Sequence, residues 1–232
     1  MTFKPGFKAR TLIGDFSYSS KLNQTSFPGV VEMLDATTYA DNGVKRSVPG
    51  LATSTASASG FADPDVVADG VAWSTAQPLT HGQEGIAFGS QVLMVDALKT
   101  SLEVGSPVAG LVSFGLAAQT DGHTNLGNSL HDLTAETADS SSAAHDGGAA
   151  SSAGGYAHLH VTAFSGFSGV VITVEDSATG SSGWAAIGTF ATVAGVTGER
   201  IALSATVRRY LRATWDVTGT GSITFACAAA RL

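Results

Sequence analysis

Cysteine is almost absent: Cys227 is the only one in 232 residues. That excludes an internal disulfide and a cysteine-based zinc site. Within Ile223-Thr-Phe-Ala-Cys-Ala228 it reads as a small buried hydrophobe. Charge is scarce too, at 13% of residues. Lys and Arg number 12 against 19 acids, a net charge of −7. Phosphate neutralisation needs clustered cations, so this balance argues against a nucleic-acid-binding surface. No apolar run reaches the length of about 18 residues that a membrane helix needs, so no membrane span is expected. The opening Met1-Thr-Phe-Lys-Pro-Gly-Phe-Lys8 lacks an apolar stretch, so no secretory signal is expected.

Catalytic patterns are missing as well. No serine sits in a Gly-x-Ser-x-Gly elbow, and Gly166-Phe-Ser-Gly169 reads as a hairpin. Asp63, Asp65 and Asp69 lack the glycine and terminal glutamate of a calcium loop, and suit helix capping better. Of six histidines, only His158-Leu-His160 has a local pattern. On a strand both rings face one way, about 7 Å apart, a spacing that suits two metal ligands. No third ligand lies nearby in sequence, so surface or interface histidines are the better reading. We expect no enzyme, no cofactor and no metal.

What remains is rich in Gly, Ala, Ser, Thr and Val, with 28 glycines. Short strands joined by small-residue turns are expected, hence an all-β chain. Residues 137–155 have almost nothing to bury and read as a flexible linker. They divide a domain at 1–136 from a second at 156–232. The first holds 7 basic and 13 acidic residues, the second 5 arginines and 4 acids, so the acidity belongs to the first.

In the first domain, strands are expected over 11–16, 30–38, 44–48, 84–88, 91–97, 99–103 and 109–118. Leu51 to Gly60 reads as an extended arm with little core value. Asp63-Pro64 offers an N-cap and a first helical residue, so one short helix is expected there. In the second, strands are expected over 156–164, 170–175, 184–193, 200–207, 210–217 and 222–228, as in a small β-sandwich. Leu211, Ala213, Trp215 and Val217 share its inward face by period-two alternation.

Arg208, Arg209 and Arg212 form the one basic cluster. Two readings stay open. Trp184, Arg209, Tyr210 and Arg212 form a surface for sugar or anionic polymers, or Trp184 and Trp215 are core and the arginines pair with Glu199 and Asp216.

Asp35-Ala-Thr-Thr38, the turn Asp41-Asn-Gly43 with Lys45-Arg46, the Pro49-Gly-Leu51 corner and Gly60-Phe-Ala-Asp-Pro64 follow one another in order. With Val104-Gly-Ser-Pro107, Val112-Ser-Phe114 and Thr120-Asp-Gly122, they resemble the tail tube (major tail) proteins of siphophages over most of 11–122. Ala36 replaces an expected β-branched residue, and the arm is unusually rich in Ala, Ser and Thr.

The resemblance implies a tail-tube-type β-sandwich or barrel that joins its copies edge to edge. It implies rings, usually of six, that stack into the conduit for DNA ejection. Lys45, Arg46, Val48, Pro49 and Leu51 would make the inter-ring contact. The second domain resembles accessory sandwiches carried on the tube exterior. Expected partners are further copies of the chain, tape measure and tail terminator proteins, and host surface glycans. The genome would pass an acidic lumen without specific binding. The expected location is the virion tail, after assembly in the host cytoplasm. Two alternatives are kept: a capsid decoration or tail-completion protein, and a carbohydrate-binding module in the second domain.

Overall fold

A computed structural model describes residues 10–19, 21–27, 29–38, 44–61, 81–88, 90–105, 107–121, 124–203 and 206–232. Among them the chain is all-β, with antiparallel pairing between its strands. The short helix expected from Asp63-Pro64 lies outside the described residues.

The first nine strands are β1 (Arg10–Ile13), β2 (Phe16–Ser17), β3 (Leu22–Ser26), β4 (Gly29–Asp35), β5 (Ser47–Phe61), β6 (His81–Phe88), β7 (Gln91–Gly105), β8 (Ser113–Thr120) and β9 (Asn125–Glu136). β8, which overlaps the strand expected over 109–118, alternates with period two: Phe114, Leu116 and Ala118 are buried, while Gly115 and Ala117 are only half-covered. The two strands expected over 91–97 and 99–103 are one strand, β7. Its ladder with β8 shifts register between Lys99 and Ser101, so a bulge stands where the sequence suggested a break.

The Ala/Ser/Thr tract is more structural than expected. From Thr55 to Phe61, β5 pairs with β8, and over Ser57 to Gly60 it also pairs with β3 on its other side. Ala56 is buried with Val95, Ala97 and Ala118. Small side chains add little burial, but ladders on both edges satisfy the backbone. Gly60 has a specific reason to be glycine. A Cβ there would stand 2.0 Å from the Lys21 carbonyl oxygen, which accepts the Phe61 amide at 3.0 Å.

The remaining strands are β10 (Ser140–Ser141), β11 (His145–Asp146), β12 (Gly155–Ser177), β13 (Ala185–Thr189), β14 (Thr197–Leu203) and β15 (Tyr210–Arg231). The strands expected at 156–164 and 170–175 are one bent strand, β12, and those at 210–217 and 222–228 are β15. The two pair from Gly155↔Arg231 to Ser177↔Tyr210. The register shifts three times between Val161 and Gly169. Gly166 (φ 78°) and Gly219 (φ 97°) take the left-handed backbone that the bend needs.

The bend turns Leu159, Val161, Phe225 and Cys227 toward Ile172, Val174, Leu211 and Trp215, forming the largest core. As expected, Leu211, Ala213 and Trp215 point inward, with Val217 packed against them. β14 flanks the first part of β12 and β13 its last part. β9, which the sequence reading passed over, joins the halves by pairing with β7 on one side and β15 on the other.

Residues 137–155, expected as a flexible linker, lie along β15. The Trp215 indole donates to the Ala138 carbonyl at 3.0 Å, and the Val217 amide donates to the Asp139 carboxylate at 2.7 Å. Ser142 exchanges hydrogen bonds with both backbone groups of Ala213, through its amide (2.8 Å) and its hydroxyl (2.9 Å). His145 and Asp146 pair with Leu211 and Tyr210. A tract with nothing to bury is held here by an open strand edge, a term that composition does not register.

Gly60→Ala is expected to lower the unfolding free energy by about 3 kcal/mol, from overpacking and a lost ladder bond. Gly115→Ala meets no atom within 4 Å. It is expected to be neutral or stabilising by up to about 1 kcal/mol. Urea midpoints of the two variants check both expectations.

Candidate assembly interface

β4 and the first part of β5 form a two-stranded ribbon, with Met33 opposite Pro49, Leu34 opposite Val48 and Asp35 opposite Ser47. Among the described residues, β4 pairs with no other strand. Past its last rung the ribbon is tied by polar contacts. The Ala36 amide donates to the Arg46 carbonyl at 3.0 Å, and the Arg46 amide to the Thr37 hydroxyl at 3.0 Å. The Thr37 amide caps the Asp35 carboxylate at 2.9 Å, and these Thr37 bonds hold that carboxyl below its usual range. Lys45 Nζ lies 3.9 Å from Asp35. Residues 39–43 at the tip, with Asp41 and Gly43 of the expected turn, lie outside the described residues.

Every residue from Glu32 to Thr38 and from Val44 to Pro49 is exposed. Met33 is 61% exposed, Leu34 46%, Val44 65% and Val48 46%. Neighbouring strand residues point to opposite faces, so Met33 and Leu34 make both faces of the ribbon apolar and uncovered. An isolated two-stranded hairpin is at best marginally stable in water. Exposed apolar side chains on such an element make it a candidate docking surface.

The structure places Val48 and Pro49 in the second arm of this ribbon and Leu51 further along the same strand, while Lys45 and Arg46 precede its first residue, Ser47, so the strand expected over 44–48 begins three residues later. Met33, Leu34 and Val44 were not singled out in the sequence. The signal for the first two is Val30-Val-Glu-Met-Leu34, apolar but for Glu32, which reads equally well as an ordinary core strand. A second apolar cluster stands at the other end of β5. There Phe61, Val104 and Leu111 are about half exposed or more, and Val108 is fully exposed.

The second candidate surface is knitted together by ion pairs. Arg208 binds the buried Asp176 at 2.5 Å, Arg209 binds Asp146 at 2.6 Å and Arg212 binds Glu175 at 2.7 Å. None of these acids is the expected Glu199 or Asp216. The Glu199 carboxylate instead accepts the Ala191 amide. The Arg209 guanidinium holds the Asp146 carboxyl well below the usual range. Arg212 lies over the Trp184 ring at 4.3 Å, and Arg209 lies 5.0 Å from the Tyr210 ring centroid. Trp215 is core, whereas Trp184 is only half-buried. One face of each candidate stacking ring is thus occupied by a guanidinium.

His158 and His160 are not surface histidines; both are buried, with ring centroids 6.2 Å apart. Among the described residues no group of three His, Cys, Asp or Glu side chains gathers as a metal site. Asp63, Asp65 and Asp69 lie outside the described residues. Cys227 is buried, and burial pushes its thiol up to about 12, so it behaves as the expected small hydrophobe.

No protein-family model matches the chain, and no curated protein matches it. Several solved structures are similar in fold. One, described as the virion of a native gene transfer agent particle, shares 17% identity over 53% of this chain and 98% of its own, with TM-score 0.42. The sheath-tube complex of an extracellular contractile injection system shares 15% over 53% and 89%, with TM-score 0.42. The Dit protein of phage SPP1 shares 10% over 94% and 98%, with TM-score 0.38.

Because Met33 and Val48 are largely exposed, Met33→Asp and Val48→Asp are expected to shift the unfolding free energy of the single chain by no more than about 0.5 kcal/mol. Thermal unfolding under dilute conditions checks this.

Proposed function

We propose that this chain is a structural protein of a phage-type tail, a tube subunit that joins its copies into rings and its rings into a stack. The observation that carries the reading is the β4–β5 ribbon, apolar and uncovered on both faces. An element that gains little within one chain gains its stability from a neighbour. The ribbon and the exposed Phe61 stand at opposite ends of one strand. A contact between unlike ends of identical subunits is heterologous, and it propagates as a filament when it does not close.

In this reading Lys45, Arg46, Val48, Pro49 and Leu51, with Met33 and Leu34, make the axial joint. Residues 1–136 form the assembly domain, and 156–232 sit on the outside. The acidity of the first part favours a lumen that repels the DNA backbone. Tape measure and terminator proteins would meet the ends of the stack.

Negative-stain microscopy of the purified full chain tests the proposal. The native sequence is expected to form rings or tubes as concentration rises. Met33→Asp/Val48→Asp, folded as above, is expected to give single chains or isolated rings. Monodisperse single chains from the native sequence at every concentration would overturn the reading.

A further inference from the structure

Two histidines are spent where a strand would ordinarily place hydrophobes. In the first part of β12, Leu159 and Val161 enter the large core, so His158 and His160 face the other way. That face meets the first part of the chain. His160 Nδ1 lies 2.7 Å from the Gly14 carbonyl oxygen in the β1–β2 turn. A carbonyl only accepts, so Nδ1 carries the proton and Nε2 is left with its lone pair. Nε2 points at β6, where a Cβ on Gly85 would stand 3.2 Å away. Beside it, a Cβ on Gly198 of β14 would stand 2.8 Å from the Gly14 backbone. The two halves touch here at backbone distance.

The rings are poorly provided with partners. Among the described residues no protein group meets either nitrogen of His158 or Nε2 of His160. A cavity of about 20 Å³ lies beside them, lined by Arg10, Leu12, Val92 and Asp132 among others.

Most of the charged groups around the rings are paired with one another. Arg10 of β1 holds Asp132 of β9 at 2.5 Å, and Arg200 of β14 holds Asp96 of β7 at 3.4 Å. Arg200 also lies over the Tyr156 ring at 3.8 Å. Glu199 of β14 is engaged by the Ala191 amide. Asp15, next to Gly14, has a buried carboxyl oxygen with no partner among the described residues. On β6 the residue against His160 is Gly85, and β15 contributes Ala226, Cys227 and Ala228 to the cavity wall. Among the described residues no carboxylate is hydrogen-bonded to either ring.

We propose that His158 and His160 form an acid-released joint, at which protonation of the rings parts β12 and β14 from the β1–β2 turn and β6 while the large core stays closed. An imidazolium at either position would be buried, with no carboxylate partner among the described residues, and close to a second imidazole. Burial pushes His158 well below its ordinary value, with His160 and Arg200 adding to the effect. Burial likewise takes His160 to about 4, partly offset by its bond to Gly14. The sign follows. In the parted state the rings titrate near 6.5, so the joint is at full strength above that pH. It weakens as pH falls from about 6.5 toward 4, where the parted state binds protons that the closed state refuses.

Hydrogen exchange of the full chain, read by mass spectrometry and corrected for intrinsic rates, tests the joint at about pH 7.5 and about pH 4.5. Peptides over 10–19 and 81–88 are expected to exchange about tenfold faster at the acid pH, while 170–177 and 210–217 keep their protection. His158→Gln/His160→Gln removes both titrations yet keeps an amide able to donate to Gly14. It is expected to reduce the acid response to less than about twofold. Equal acid opening in this variant, or no selective opening in the native chain, overturns the proposal. A histidine NMR titration of the native chain serves as a second readout that does not require the variant to fold. Two of its six histidines are expected to remain neutral at about pH 5, and titration of all six near 6.5 overturns the proposal.

Discussion

The long antiparallel ladder between β12 and β15 is the constraint from which the rest of the structure follows. The strands have 23 and 22 residues. Straight, a ribbon of that length would run about 75 Å, whereas a compact chain of this size is about 45 Å across. The ribbon must therefore bend. It does so at the register shifts between Val161 and Gly169, opposite Gly219 and Gly221. A Cβ on Gly221 would stand 2.1 Å from the Ser165 carbonyl oxygen, so the two backbones touch at the corner. Folding the ribbon on itself makes one pair of strands supply both walls of the core. β13, β14, β9 and the 137–155 tract then add to its edges.

The first part of the chain is built on different terms. Its buried hydrophobes fall into small groups, such as Ile13, Tyr18, Phe114 and Leu116, or Ala56, Val95, Ala97 and Ala118. Several of its larger apolar side chains, Met33, Leu34, Val44 and Val48 among them, lie outside. What ties this part down is β9, whose outer rungs belong to β7 and β15. Gly127 shows how tightly β9 is seated: a Cβ there would stand 2.6 Å from both the Ala229 carbonyl oxygen and the Met94 sulfur. The stable half thus anchors a half that keeps hydrophobic surface in reserve.

Much of this was legible in the sequence where period-two alternation is clean. β8 and the first part of β15 show it, and their inward faces are those the alternation predicts. Bulges were not legible. Each shifts the alternation by one residue, so a bent strand reads as two short ones, as in β7 and β12. β9 shifts register against β15 twice, near Cys227, which scatters Leu126, Leu130 and Leu133 across no fixed period. The tract at 137–155 misled for another reason. Ser and Asp there act as hydrogen-bond partners for an exposed strand edge, and no local pattern announces where that edge is. The ribbon was legible as a segment, through the Pro49-Gly-Leu51 corner and the polar turn. Val44 to Val48, mixing apolar and basic residues, suits an exposed segment, but the exposure of the β4 arm was not legible, because Val30 to Leu34 is apolar but for Glu32 and reads as a core strand.

The root of the ribbon explains how its exposed arms are directed without a core of their own. β5 runs unbroken from Ser47 at the exposed end to Phe61 between β3 and β8. Its small side chains let neighbouring layers close over it, and Gly60 locks it against the Lys21 carbonyl. A strand clamped by ladders on both edges at one end holds its free end in a defined direction. The free end also carries protection against indiscriminate pairing. Pro49 removes an amide from the ladder, and Lys45 and Arg46 place charge beside the open backbone. With the edge discouraged and apolar side chains exposed on both faces, the proposed joint rests on side chains rather than on backbone pairing.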